Sequence, residues 1–436
     1  MTPASQPVPA GPPWKVLILP GGTEIGLELR QALAWCKEVE LFSGGVPGSN
    51  HAPFVFARHV EVPSVHDAGW VDALNPILDR LGITHIFPAH DDVIVAAVEC
   101  SARLHARVVT SPLETCRLTR SKLQTLRRLR NVVPVPQQFE SVEAVVEFPV
   151  FVKPDRGQGS FNVARADTAE QLRALLAEDP SRIILENLPG AEFTVDCFSD
   201  RDRGLLYASG RRRQRIRSGI AMNSMVVDDP RFEEYARRIS AELPLHGAWF
   251  YQVKTARDGE LKLLEVAPRI GGTSALSRAR GVNLPLLSLY ESDRLPVEIV
   301  PTTFEVEIDR ALVNRFRSSV RYETIYVDFD DTLIVRGRIN PELVKLLFQS
   351  LNRGVRLVLI TRHAGDLTAA LRRFRIEGLF DEIVHIRDGR PKAEFIHGPG
   401  AILIDDSHSE RRAVSRATGI PTFGPDMVET LLDDRV

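Results

Sequence analysis

Residues 248–281, AWFYQVKTARDGELKLLEVAPRIGGTSALSRARG, decide how the chain is read. From 249 to 255 apolar and polar residues alternate, Asp258-Gly259 is a tight-turn signal, and 261–266 returns as a second apolar strand, so a β-hairpin is expected. Across it Gln252 and Glu265 can face each other. A carboxylate beside a carboxamide supplies hard oxygen ligands, which suit Mg2+ (or Mn2+) held together with nucleotide phosphates better than a closed protein cage. Arg269, four residues beyond Glu265 and just past Pro268, is placed to meet a phosphoryl oxygen with two parallel hydrogen bonds. Gly271-Gly272-Thr273 then lets backbone come close to a ligand.

At 436 residues the chain exceeds what one hydrophobic core supports, so several domains are expected. A net charge of −2 and an ordinary apolar fraction argue against a global nucleic-acid or membrane footprint. Cys36, Cys100, Cys116 and Cys197 have no paired spacing, which suits reduced thiols in a cytoplasmic protein better than disulfides or zinc. Residues 1–13 are Pro-rich, lack the features of a secretion signal and read as a disordered tail; no apolar run reaches membrane-spanning length.

Residues 15–20 (KVLILP), then Gly21-Gly22 and the helical spacing of 27–34, open a Rossmann-like unit. The G-x-G-x-x-G spacing is absent, and no acidic partner for a ribose follows the second strand near 39–43, which argues against a dinucleotide site. Strands at 57–62 and 84–88 alternate with helices at 70–81 and 92–104, implying a parallel sheet covered on both faces. His90-Asp91-Asp92 lies at a strand's carboxyl end, where open α/β sheets bind ligands, or else Asp91 caps the next helix.

A basic helix at 119–129 contains Lys122 and precedes a Pro-rich turn. Residues 148–154 (FPVFVKP) form an apolar strand carrying Lys153, followed by a loop with Gly157, Gly159 and Ser160. A lysine in an apolar strand is costly unless its ammonium meets an anion, and N–H groups of a glycine loop can cradle phosphates. Residues 183–196 read as strand, turn, strand. In GRRRQRIRSG, alternation puts Arg211, Arg213, Arg215 and Arg217 on one face, which repels itself unless several negative charges lie opposite. Arg213, Arg215 and Arg217 are the candidates for binding phosphate or a substrate carboxylate. A nucleic-acid face is the rival, but no aromatic stacking residues stand nearby.

Together these stretches resemble the ATP-grasp superfamily, most closely its carbamoyl-phosphate-synthetase-like branch. There, a Gln, a hairpin, E-x-N-P-R and small residues follow in order, matched by Gln252, Glu265, Pro268, Arg269 and Ser274-Ala275-Leu276; Ala267 replaces the Asn and removes one side-chain ligand. The resemblance implies that Lys122 and Lys153 contact ATP and that Gly157, Gly159 and Ser160 belong to a lid loop. It puts adenine at Glu186 and the Leu188 backbone, ribose at Glu192, and the metal at Gln252 and Glu265. A pre-ATP-grasp domain at 14–112 and an ATP-grasp domain at 113–310 are expected.

After a linker at 311–321, the strand 324–327 ends in Asp328-Phe329-Asp330-Asp331-Thr332. Strand 356–360 ends in Thr361, Lys392 follows, and strand 401–404 ends in Asp405-Asp406. Two carboxylates on one side of a strand end repel unless a divalent cation sits between them, leaving one to attack phosphorus and the other to shuttle a proton. The series resembles the haloacid dehalogenase superfamily over 322–436. That resemblance implies Asp328 as nucleophile, Asp330 as general acid and base, Thr361 and Lys392 holding the phosphoryl group, and Asp405 or Asp406 completing a Mg2+ site with Asp328 and Asp330.

The expected fold is therefore multidomain, α/β and α+β: a Rossmann-like domain, an ATP-grasp domain, and a Rossmannoid haloacid-dehalogenase-like domain without a large cap. The expected activity is an ATP-dependent carboxylate–amine ligase fused to a phosphatase, with ATP and Mg2+ as cofactors. Carboxylate, amine and phosphoester are its small-molecule substrates, and the resemblance allows a homodimer. The alternative is a phosphohydrolase whose nucleotide clamp does not ligate.

Overall fold

The computed structural model describes residues 14–157 and 162–435, and contacts divide them into two compact units, 14–312 and 313–435. The first unit begins with a parallel five-stranded sheet. Trp14–Leu19 lies at its centre between Val39–Gly45 and His85–Pro88, with His59–Glu61 and Arg107–Val108 at the edges. Leu17 and Ile18 are fully buried on opposite faces of this central strand, as a strand covered by helices on both sides requires. The helix Glu24–Leu33 starts on Thr23, whose Oγ1 accepts from Gly26 N at 3.0 Å. Gly26 has to be bare, because a Cβ there would fall 2.6 Å from the carbonyls of Pro20 and Gly21.

A four-stranded antiparallel sheet follows, ordered Gln138–Phe139, Arg182–Glu186, Val150–Pro154, Ala164–Ala166. A six-stranded antiparallel sheet completes the unit. Its order is Leu261–Ala267, Gly247–Thr255, Glu192–Asp200, Gly204–Arg217, Ile220–Val227 and Glu307–Asp309. Trp249, Tyr251 and Val253 of its second strand are fully buried in one core with Leu261 and Leu263, and Trp249 Nε1 is satisfied by Ser199 Oγ at 2.9 Å.

Two helices differ from the sequence reading. The helix expected over 119–129 is two, Leu113–Arg120 and Lys122–Leu129, because Ser121 leaves helical geometry and its Oγ accepts from Gln124 N to cap the second. The helix expected to reach 104 is Asp91–Glu99, and its N-cap is His90 rather than Asp91.

The second unit has a parallel sheet ordered Glu382–His385, Arg356–Thr361, Thr324–Val327, Ala401–Ile404, Thr422–Phe423. Ile325, Val327, Leu357, Leu359, Ile402 and Ile404 are fully buried in one core with the helix Pro341–Asn352, while Tyr326, Val358 and Leu403 pack on the other face with Val414 of His408–Thr418. Residues 311–321 carry neither helix nor strand. All four cysteines are unpaired, and among the described residues no helix is long and apolar enough to cross a membrane.

Candidate functional site

The expected hairpin is present, with Gln252 directly opposite Glu265, but strict alternation would have hidden the acid. Leu261 and Leu263 face the core, so an uninterrupted strand would turn Glu265 the same way. Instead the pairing steps from Gln252–Glu265 to Val253–Leu263, leaving Leu264 as an extra residue. This β-bulge turns Glu265 out of the core and into a cavity of about 250 Å3, shared with Gln252, Lys254 and Lys153. At the bulge, the Leu264 carbonyl accepts from Lys153 Nζ at 3.3 Å.

Lys153 is 7 % exposed on Val150–Pro154. Burial, then the charge of neighbouring Lys122, pull its ammonium down to about 8, against opposing fields from Glu265 and Glu192. Lys122 lines the same cavity and donates to the Gly157 carbonyl at 2.6 Å. Asp155 holds the Lys122 helix in place: its carboxylate accepts from Ser121 Oγ at 2.8 and 2.9 Å and from Leu123 N at 2.8 Å.

Gly157, Glu186, Leu188 and Glu192 also line this cavity, whereas Gly159 and Ser160 lie outside the described residues. The Glu186 carboxylate is engaged by Lys262 at 2.8 and 2.9 Å and by Gln137 N at 3.0 Å. Glu192 pairs with Arg213, which also donates to Gln252 Oε1 at 3.1 Å.

The single face of arginines is not realised. Between Arg213 and Arg215 the strand advances two residues while its partner advances one, from Ser224 to Asn223, and a second shift follows before Ile216. These bulges break the alternation. Arg211 and Arg213 are drawn inward; Arg215 is exposed and pairs with Asp309 at 2.7 Å, and Arg217 ends the strand exposed. Neither Arg215 nor Arg217 lines the cavity, which corrects their assignment as phosphate or substrate ligands.

A second hollow of about 120 Å3 adjoins the first through Gln252, Glu265 and Arg213, and is lined by Arg211, Arg269 and Arg310. Arg269 stacks over Phe250, 5.1 Å from the ring centroid, and grips Asp91 at 2.5 and 3.2 Å. Burial alone would raise the Asp91 carboxyl, but the Arg269 guanidinium holds it below the usual range. Asp91 is thus an ion-pair partner rather than a cap, and Asp92 pairs with Arg120 at 2.7 Å. Arg211, 2 % exposed, pairs with Asp196, 1 % exposed, and donates to Thr273 Oγ1 at 2.7 Å. Arg211→Ala is expected to cost about 3–5 kcal/mol by leaving Asp196 buried and unpaired; urea denaturation checks it, and a loss below about 1 kcal/mol would contradict the pairing.

A third hollow, about 400 Å3, lies beyond Arg269, but its acids are engaged: Glu291 by Arg201, and Asp293 by Trp14, His85 and Arg107.

In the second unit, Lys392 donates at 2.6 Å to both Asp328 and Asp405, and all three are buried. Burial raises the Asp328 carboxyl to about 6, with Lys392 opposing and Asp405 adding to the shift. Carboxylate oxygens of Asp328, Asp405 and Asp406 lie within 4.8 Å of one another, and Thr332 Oγ1 donates to Asp406 at 3.2 Å. Thr361 is buried at the end of its strand and accepts from His363 N at 3.1 Å. Asp330 does not join the acids, contrary to its expected place among the metal ligands. The strand ends at Val327, the chain turns through Asp331 at φ +57°, and the Asp330 carboxylate meets His363 Nδ1 at 2.9 and 3.1 Å instead.

Residues 178–313 match the family model described as ATP-grasp in the biosynthetic pathway with Ter operon. Among solved structures, the chain is similar to the ADP complex of N5-carboxyaminoimidazole ribonucleotide synthetase, with TM-score 0.57, 15 % identity, and 68 % of this chain and 81 % of that one covered. Over the part that these matches cover, the fold is ATP-grasp-like. The ATP-grasp likeness extends to the biotin carboxylase–β,γ-ATP complex from Campylobacter jejuni, with TM-score 0.55, 12 % identity and coverage of 65 % and 72 %. It also extends to L-amino acid ligase from Bacillus licheniformis, with TM-score 0.50, 17 % identity and coverage of 64 % and 74 %. No curated protein matches the chain.

Within this ATP-grasp-like fold, two arginines beside the cavity were not among the candidate ligands read from the sequence. Arg211 was signalled by Asp196, a buried acid between Val195 and Cys197 in the middle of the strand Glu192–Asp200 that requires a buried cation. Arg310 follows the short edge strand Glu307–Asp309 in a stretch without periodicity, and nothing in the sequence marks it.

Proposed function

We propose that the chain is an ATP-dependent carboxylate–amine, or similar C–N, ligase joined to a Mg2+-dependent phosphatase of haloacid-dehalogenase type that acts in the same pathway. The observation that carries the ligase reading is the shared cavity: Lys153, Gln252 and Glu265 line one hollow that adjoins the arginine-lined one. ATP would lie with its phosphates between Lys153 and Glu265. A carboxylate oxygen of the acid attacks the γ-phosphorus, the bond to the β-phosphate oxygen breaks, and ADP leaves. An amine then attacks the acyl carbon, inorganic phosphate departs, and the amine proton passes to solvent.

Lys153 and Lys122 supply charge opposite the phosphates, and the arginines orient the acid. Gln252 and Glu265, opposite each other in the hairpin, would hold Mg2+ through their side-chain oxygens, and the ion would neutralise phosphate charge. In the second unit Asp328, Asp405 and Asp406 would hold the other Mg2+, Asp328 would attack phosphorus, Asp330 would move the proton, and Thr361 and Lys392 would hold the phosphoryl group. A screen of acid and amine pairs for ADP release, run with Asp328→Asn protein to remove phosphatase background, tests the ligase reading; no release with any pair would count against it.

A second reading is a phosphohydrolase whose clamp binds nucleotide without ligating. It is favoured by Ala267, buried where the resemblance places a ligand and offering no side-chain oxygen. In that case Asp328→Asn, and not a change at Lys153, removes all turnover.

Lys153 gives nucleotide binding a pH signature. Its proton leaves near pH 8 in the empty protein, and phosphates prefer the ammonium, so metal-free ADP is expected to bind more weakly above pH 8, by up to about tenfold per pH unit. Calorimetric titrations from pH 7 to 9.5 check this. A flat profile, or one unchanged in Lys153→Met, contradicts it.

A further inference from the structure

We infer that the acid accepted by the ligase site carries a second anionic group, a carboxylate or phosphate, besides the carboxylate that is activated; this rests on the ligase reading above. Four arginines line the 120 Å3 hollow together with two carboxylates, Glu24 and Glu265, neither of which forms an ion pair among the described residues. Of the four arginines, three already have an acid of their own: Arg211 has Asp196, Arg213 has Glu192, and Arg269 has Asp91. Arg310 has none within ion-pair distance among the described residues. Its side chain donates to the Gly272 carbonyl, a neutral acceptor.

The surroundings make that unpaired cation costly. Burial lowers the Arg310 guanidinium from its ordinary range and Arg211 repels it further, while Glu28 and Glu24 offset only part of this. Glu28 is engaged by Arg278 at 3.1 Å, and Glu24 is exposed. A Cβ on Gly271 would fall 2.5 Å from Arg211 Nη2, so that residue is bare where the Arg211 guanidinium lies, whereas a Cβ on Gly272 would only touch Arg310 Nη1 at an ordinary 3.4 Å. A fold bears such an arrangement when an anion completes it.

Size narrows the class. With about 10–15 Å3 needed per water, 120 Å3 takes on the order of ten non-hydrogen atoms, the size of a short dicarboxylate or a small phosphorylated acid. One end of such a molecule would meet Arg310, leaving the other carboxylate toward Arg269 and Glu265, where the two hollows adjoin.

The experiment uses the full chain with Asp328→Asn, ATP, Mg2+ and hydroxylamine, which attacks an acyl phosphate to give a hydroxamate and phosphate. Succinate is compared with butyrate, glutarate with valerate, and phosphoglycolate with glycolate. Stabilisation of the Mg·ADP-loaded protein by the same acids gives a readout independent of turnover. The expected result is at least tenfold higher kcat/KM, and tighter binding, for the dianion in at least one pair; whether the diacid or the phospho-acid leads identifies the second group. Arg310→Gln is expected to shrink that preference at least fivefold while Mg·ADP still binds, and Arg310→Lys to restore part of it.

If hydroxamate forms but monoanions serve equally well, or Arg310→Gln weakens both members of each pair alike, this inference falls and the ligase reading stands. If Mg·ADP binds but no acid yields hydroxamate, the ligase reading fails and takes the inference with it.

Discussion

Lys153→Met is expected to lower acid-dependent ADP release by about 10²–10³-fold in kcat/KM while leaving the protein folded and, at pH 7, more stable than the parent. The two effects share one cause. The ammonium is buried on an apolar strand with one carbonyl contact, at 3.3 Å, and burial together with Lys122 brings it down to about 8 from an ordinary 10.5. At pH 7 it is charged both folded and unfolded, so the folded state bears a penalty of about 3 kcal/mol that methionine avoids. Because the folded group loses its proton first, the penalty shrinks as pH rises from 8 toward 10.5. A residue that costs stability when empty earns its place by what it binds. Thermal unfolding beside steady-state ADP release checks both halves. Destabilisation with unchanged turnover would mark Lys153 as merely structural.

Asp328→Asn is expected to remove Mg2+-dependent hydrolysis of p-nitrophenyl phosphate by on the order of 10³-fold or more, since no other carboxylate replaces the attacking oxygen. Burial raises this carboxyl to about 6, and a metal needs it ionised, so Mg2+ affinity in the second unit is expected to fall as pH drops through 6. The Lys392–Asp405 contact at 2.6 Å does not involve Asp328, so the buried pair is expected to survive the substitution and loss of activity can be read apart from loss of fold. Retained hydrolysis in Asp328→Asn would refute its role as nucleophile.

How much was legible before the structure depended on how local each signal was. Lys153 stood out because a lysine among FPVFV breaks an apolar run, and its cavity neighbour Gln252 followed from simple alternation. Glu265 was placed correctly for an incomplete reason, since the bulge at Leu264, invisible in the pattern, turns it to the cavity. The same device misled at the arginines: alternation extended past Arg213 predicts one face, and a bulge disperses Arg215 and Arg217 to solvent. Asp330 was misplaced because strand geometry was carried past Val327, where the chain has already turned. Asp91 reads as a cap locally, and only packing brings Arg269, 178 residues away, into contact with it. Patterns within a strand are written in the sequence; bulges and ion pairs between distant segments are set by tertiary packing.

The central claim is that one nucleotide is gripped between Lys153 and Glu265, and calorimetric titration of the full chain with Mg·ADP tests it most directly. One site per chain is predicted, weakened at least tenfold by Lys153→Met and losing its Mg2+ dependence in Glu265→Gln. Absence of binding, or binding indifferent to both substitutions, would contradict it.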